Sequence, residues 1–174
     1  MFSNKDLRKL IIPLVIEQLL AVTIGMADTV MVSSCGEAAV SGISLVDSIN
    51  FLLITLFSSL ATGGAVIASQ YIGRGDHKSA SLAAKQLFYA SLALSAVLGI
   101  IAVFFRKPVL NMVFGSIEAD VMAHAQIYFL LSAISYPFLA VYNAGAALFR
   151  SMGDSRTTML ISILMNTINI VGNA

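Results

Sequence analysis

Two carboxylates interrupt the first apolar stretch of the sequence, which runs from about Leu10 to Val32. Glu17 and Asp28 are eleven residues apart, about three helical turns, so a helix places them on one face. A carboxylate inside an apolar span costs about 2.5–3.5 kcal/mol on insertion scales and usually faces the interior of a bundle. For Asp28 the pattern favours binding of an ion or a proton, with an interhelical hydrogen bond as the alternative. For Glu17 a structural contact is as good an interpretation, because it lies nearer the N-terminal end of the stretch.

Three amide side chains form a second polar pattern near the end of the sequence. Asn166, Asn169 and Asn173 are three and four residues apart, which aligns them on one helical face. One interpretation is a polar cavity wall that coordinates a cation or proton-linked water together with Asp28. The other is a set of interhelical hydrogen bonds that hold a bundle together. Amide oxygens beside a carboxylate suit a hard cation such as Na⁺, and they equally suit a proton relay.

Further polar residues are candidates to line the same cavity. Asp47 and Asn50 lie three residues apart in the second apolar stretch, where a solvated or capping role for Asp47 is the alternative. The complete set of candidate lining residues is Glu17, Asp47, Asn50, Asn166 and Tyr136. The sequence has no phosphate-binding loop, no metal-ligand cluster and no Ser/His/Asp set in a supporting context. It therefore predicts a protein that is not an enzyme and needs no cofactor beyond Na⁺ or H⁺ as a coupling ion.

The composition places these residues in a membrane. Of the 174 residues, 58% are hydrophobic and 11% are charged, against about 45–50% and about 25% in a soluble domain. Lipid is the solvent that matches such an apolar exterior. The net charge of +1 offers no basic patch for nucleic acid.

Five apolar stretches predict five transmembrane helices, since each complete stretch exceeds the roughly 20 residues that a spanning helix needs. They cover about residues 10–32, 44–72, 83–105, 121–149 and 157–174. Eight basic residues fall on one side of this arrangement and two on the other. The excess of lysine and arginine predicts a multi-pass protein of the plasma membrane with a cytoplasmic N-terminus.

A short motif is repeated after the second and the fourth apolar stretches. Both are followed by a Gly-Asp pair with a basic residue two positions after the aspartate: Gly75-Asp76 with Lys78, and Gly153-Asp154 with Arg156. Glycine ends a helix in a left-handed conformation and aspartate caps the next one, so each pair predicts a tight corner between helices.

The order of several short motifs resembles the N-terminal part of the multidrug and toxic compound extrusion (MATE) transporters over essentially the whole chain. The motifs are Ile12-Pro13-Leu14, Met26-Ala27-Asp28-Thr29-Val30-Met31-Val32, Ala61-Thr62-Gly63-Gly64-Ala65, Ser69-Gln70-Tyr71-Ile72-Gly73-Arg74-Gly75-Asp76, Tyr136-Pro137-Phe138 and Phe149-Arg150-Ser151-Met152-Gly153-Asp154. No single motif is diagnostic, but their order and spacing together are specific.

This resemblance implies an all-α integral membrane fold. The family has twelve helices in two six-helix lobes, so the chain would hold five helices of an incomplete first lobe, without the C-terminal lobe. Family members export lipophilic cations in exchange for Na⁺ or H⁺. Asp28 matches the coupling aspartate of helix one, and Asn169 and Asn173 match an Asn and Asp pair of helix five. Asn173 departs from the acidic version, which leaves less negative charge near Asp28.

The resulting expectation is an N-terminal fragment of a cation-coupled multidrug antiporter that is inactive alone, because alternating access needs two bundles. Its partners would be membrane lipid, lipophilic cationic substrates and the missing C-terminal half. One alternative is a flippase of lipid-linked saccharides, which would favour intramembrane arginine or lysine that is not seen here. Another is a non-transporting membrane subunit.

Overall fold

The computed structural model describes residues 4–34 and 36–173, without the side chains of residues 4–6, 9, 27, 28, 172 and 173. These residues form an all-α bundle. Its helices are α1 (Asn4–Ser33), α2 (Glu37–Gly73), α3 (His77–Phe114), α4 (Ala119–Ser151) and α5 (Ser155–Asn173). Each of the first four predicted spans falls on one helix, and the fifth falls on α5 as far as Asn173. The helices extend past the apolar stretches, because the backbone hydrogen bonding continues into their more polar ends.

Four of the helices in the described part of the chain, α1 to α4, are long and apolar enough to cross a membrane. Their exteriors are rich in large hydrophobic side chains, such as Phe51, Phe104 and Phe138, each more than two-thirds exposed. α5 has 19 residues and is not in this group. Its hydroxyl and amide side chains lower its hydropathy, so a fifth spanning helix stays a prediction.

Small residues bring α2, α3 and α4 together as a three-helix unit. A Cβ atom added at Gly42 of α2 would lie 2.9 Å from the backbone nitrogen of Ala125 in α4. One added at Gly99 of α3 would lie 3.0 Å from the carbonyl oxygen of Ala133 in α4. Lipid supplies no hydrophobic drive for helices to associate, so such close backbone packing is a main source of their affinity.

α1 packs chiefly against α5, and this pair has only small interfaces with the three-helix unit. An ion pair near the C-terminal end of α4 links the two parts: Arg150 Nη1 of α4 donates to Glu17 Oε1 of α1 at 3.3 Å. The Tyr142 hydroxyl donates to the same oxygen at 3.5 Å. The Glu17 side chain is only 12% exposed, and its Oε2 has no hydrogen-bond partner among the described side chains. Glu17 therefore makes a structural contact, which was one of the two roles considered for it from the sequence.

The two Gly-Asp corners form as predicted. Gly75 and Gly153 have φ values of 75° and 84°. In each corner the aspartate N–H bonds the carbonyl five residues back, and the aspartate carboxylate accepts the backbone N–H three residues on. The hydrogen bonds from Ser79 and Thr157 lower the pKa values of Asp76 and Asp154, respectively. Both corners lie at one end of the bundle, here called the corner end.

The segment after the third predicted span remains helical but bends. Phe105 has non-helical angles (φ −111°, ψ 21°), and α3 then continues to Phe114. Pro108 explains the position of the bend, since it has no N–H for the carbonyl four residues back. Beyond the bend, Leu110 is fully buried in the core whereas Met112 is 85% exposed, so this short segment packs on the bundle with one face only.

The α2–α4 approach predicts that Gly42→Ala lowers the melting temperature of the purified protein in detergent. The new methyl group would meet backbone atoms that cannot rotate away, and overpacking of this kind costs about 1–3 kcal/mol. Gly63→Ala is the matched control, because a Cβ there meets nothing within 4 Å. Thermal melts followed by helical circular dichroism make the comparison, and equal melting temperatures for wild type and Gly42→Ala would refute the close approach.

The ion pair predicts that Arg150→Met is destabilising by roughly 1–3 kcal/mol, the cost of leaving a buried polar group unsatisfied. The double variant Glu17→Gln/Arg150→Met should recover part of this loss, because the buried charge is then gone. Arg156→Met, at an exposed position near the same end, is the control and should leave the melting temperature unchanged. A double variant no more stable than Arg150→Met would show that the two side chains are not coupled.

Candidate cation-binding cavity

A cavity of about 840 Å³ lies between α1, α2, α4 and α5, at the end of the bundle opposite the corners. α1 contributes Thr29 and Val32 to its wall, and α2 contributes Ile43 and Asp47. The full set of lining residues is Gly25, Thr29, Met31, Val32, Ser34, Val40, Ile43, Ser44, Asp47, Tyr128 and Asn169. The cavity thus sits on the boundary between the α1–α5 pair and the three-helix unit.

Hydrogen bonds across the α2–α4 interface hold one carboxylate at this wall. The Tyr128 hydroxyl donates to Asp47 Oδ1 at 2.8 Å, and Asn50 Nδ2 reaches the same oxygen at 3.5 Å. Asn50 is itself held from α4, since its Nδ2 donates to Ser132 Oγ at 3.1 Å and its Oδ1 accepts the Tyr136 hydroxyl at 2.8 Å. Asp47 is exposed to the cavity, whereas Asn50 and Tyr136 are buried behind it.

Helical spacing explains why these residues meet. Tyr128, Ser132 and Tyr136 are four residues apart on α4, and Asp47 and Asn50 are three apart on α2. Each set therefore lies on one helical face, and the small residues between the helices bring the faces together. The four-residue spacing on α4 was the available signal for Ser132, which sequence reasoning did not name.

The residues predicted to couple ions are only partly described. Asn169 lies in the cavity wall and has an interaction partner. The side chains of Asp28 and Asn173 lie outside the described part of the structure, although both residues belong to described helices. Asn166 is half-buried, and its Nδ2 has no hydrogen-bond partner among the described residues.

Three of the other candidate lining residues lie elsewhere. Glu17 is in the ion pair near the corner end. Tyr136 is 1% exposed and packs edge-on against Phe57, with ring centroids 6.0 Å apart. Asn50 lies beside it in the core. The Tyr136 hydroxyl and the Asn50 amide satisfy each other between helices, which is what a low-polarity interior requires. Of the five predicted lining residues, only Asp47 is among the described residues of this cavity wall.

The described lining residues of the cavity combine one carboxylate with hydroxyl and amide groups on a wall whose surface is mainly apolar. None of its described lining residues is arginine or lysine, so the wall is negative. In the described part of the chain no three His, Cys, Asp or Glu residues come together as a metal-binding group. The arrangement suits a cation of low charge more than an anion or a tightly chelated metal.

Comparison with known proteins places this bundle in a family. The sequence profile named MatE matches residues 13–174. The "Uncharacterized transporter YisQ" of Bacillus subtilis is 34% identical over 169 residues, which are 92% of this chain and 35% of that protein. The "Probable multidrug resistance protein NorM" of Thermotoga maritima is 29% identical over 172 residues, 96% of this chain and 36% of that protein.

Two solved structures share the fold. A transporter of the MOP superfamily from Pyrococcus furiosus has a TM-score of 0.82 at 24% identity, covering 97% of this chain and 37% of its own. A crystal structure of a MATE protein in complex with MaD3S has a TM-score of 0.83 at 24% identity, covering 97% and 38%. The chain thus spans a little over a third of the length of the proteins it matches. Because the profile covers nearly all of the sequence and the apolar helices fit its architecture, the chain belongs to the MatE family of multi-pass membrane transporters.

Proposed function

We propose that this bundle forms the first part of an antiporter that exports lipophilic cations in exchange for Na⁺ or H⁺. The observation that carries the proposal is the cavity between the two parts of the bundle, which has a carboxylate on a wall that is otherwise mainly apolar. Several relatives are named multidrug resistance proteins, among them NorM of Thermotoga maritima, and this supports the substrate class.

The charge of the cavity separates this function from the flippase alternative. A flippase of lipid-linked saccharides must hold a pyrophosphate, for which arginine or lysine would supply the charge. The described lining residues include Asp47 and Asn169 but no basic side chain. A negative wall repels a pyrophosphate and attracts a cation, so cation export is the better fit.

For the coupling step we assign Asp28 of α1 with Asn169 and Asn173 of α5. α1 and α5 pack chiefly against each other, so the two helices that carry these residues form one part of the bundle. Binding of Na⁺ or H⁺ at Asp28 would favour one position of this pair, and binding of substrate would favour the other. Exchange follows when two ligands bias the same equilibrium in opposite directions.

The complete transporter would contain a second bundle, because alternating access requires two bundles that rock around a central site. The relatives leave room for one, since the chain spans only a little over a third of their length. We place the corner end in the cytoplasm of a plasma membrane, where Arg74, Lys78 and Arg156 follow the positive-inside rule. The cavity then opens toward the outer side.

The assignment predicts that Asp28→Asn lowers gradient-driven efflux of a fluorescent cationic dye at least about five-fold. This factor corresponds to the lower limit of a typical coupling free energy. The dye is followed in cells that express the complete open reading frame containing this sequence. Collapse of the Na⁺ or the H⁺ gradient with a selective ionophore identifies the coupling ion.

Asp120→Asn is the matched control for this experiment, because Asp120 lies exposed in the first turn of α4, outside the cavity wall. It should export dye at the wild-type rate at equal protein abundance. Unchanged efflux in Asp28→Asn would remove Asp28 from the mechanism.

A further inference from the structure

We propose that Asp47 is a substrate-recognition residue that binds the positive charge of the organic cation in the cavity. This inference rests on the proposed export function and adds a second carboxylate, on a different helix from Asp28. Asp28 would then serve the coupling ion while Asp47 serves the cargo, so the two positive charges have separate acceptors.

The hydrogen bonds of Asp47 leave one side of the carboxylate available. Both the Tyr128 hydroxyl and the Asn50 amide bond Oδ1, at 2.8 Å and 3.5 Å, and neither bonds Oδ2. The residue is exposed and belongs to the cavity wall. A carboxylate that is oriented in advance by neutral donors loses little freedom when a cation binds.

The size and lining of the cavity favour an organic cation over a bare metal ion. Its volume of about 840 Å³ falls within the roughly 300–1,000 Å³ of pockets that hold drug-sized ligands. Hard divalent cations such as Ca²⁺ and Mg²⁺ take about six or more oxygen ligands at short range. Here Val32, Val40 and Ile43 line the same cavity as the carboxylate, and aliphatic groups of this kind bind hydrocarbon.

Buried groups behind Asp47 fix its position without touching the cavity. Asn50 is held by Ser132 and Tyr136 from α4, so the carboxylate is tied to the three-helix unit. Thr29 and Asn169 line the cavity from the α1–α5 pair. A cation bound at Asp47 therefore contacts both parts of the bundle, so its affinity depends on their relative position.

The test measures binding of tetraphenylphosphonium to the full-length protein in lipid nanodiscs by isothermal titration calorimetry. Asp47→Asn should weaken binding about ten-fold or more, which corresponds to about 1.4 kcal/mol. Asp47→Glu keeps the charge and should retain most of the affinity. Triphenylphosphine oxide, a neutral molecule with similar rings, should bind wild type and Asp47→Asn equally and thereby report that the cavity is folded.

Glu118→Gln is the matched control. Glu118 is an exposed acid at the N-cap of α4 whose side chain makes no capping hydrogen bond and does not line the cavity. Wild-type affinity in Glu118→Gln together with the loss in Asp47→Asn supports the assignment. Equal affinity in wild type and Asp47→Asn, an equal loss in both variants, or absence of binding to the wild type would overturn it.

The outcome separates this inference from the proposed function. If Asp47→Asn binds tetraphenylphosphonium normally but Asp28→Asn abolishes gradient-driven efflux, the export function stands and the recognition role of Asp47 falls. If efflux does not depend on any ion gradient but Asp47→Asn still weakens binding, the cavity binds cations and the antiport proposal falls.

Discussion

The close approach of α2 and α4 is the constraint on which the rest of the bundle depends. Gly42 and a series of alanines let the two backbones come near enough for short polar side chains to reach across. Within lipid those side chains have no water to bond, so they must find partners on a neighbouring helix. The chain of hydrogen bonds from Tyr128 through Asp47 and Asn50 to Tyr136 follows directly from that geometry.

The same requirement explains why polar residues occur at both ends of the molecule. At the corner end, Arg150 forms an ion pair with Glu17. A buried carboxylate without a counter-charge would cost free energy of folding. At the other end Asp47 faces a cavity and has only neutral donors, so its charge is oriented but not neutralised. One carboxylate thus joins two helices through an ion pair, and the other is held at a cavity wall.

Much of the fold was predictable from the sequence because its signals are local. Apolar length marks a span, and Gly-Asp at positions 75–76 and 153–154 builds a corner through bonds that reach only a few residues. The site was less predictable because its partners come from distant parts of the chain. Spacing aligned Asp47 with Asn50, but nothing local indicated that Tyr128, 81 residues away, would donate to that carboxylate. The ion pair of Glu17 with Arg150 was not predictable either, because the two residues are 133 positions apart in the sequence.

Several of these side chains lie on the boundary between the two parts of the bundle. The α1–α5 pair meets the three-helix unit through small interfaces, whereas the helices inside each part pack together more extensively. The Glu17–Arg150 pair and the cavity lie on the same boundary but at opposite ends of it. In the proposed antiporter, a ligand would shift the equilibrium between two positions of the α1–α5 pair only by its difference in affinity for them. A cavity whose wall belongs to both parts provides that difference, because any relative movement changes the distance between Asp47 and the residues of α1 and α5 that face it.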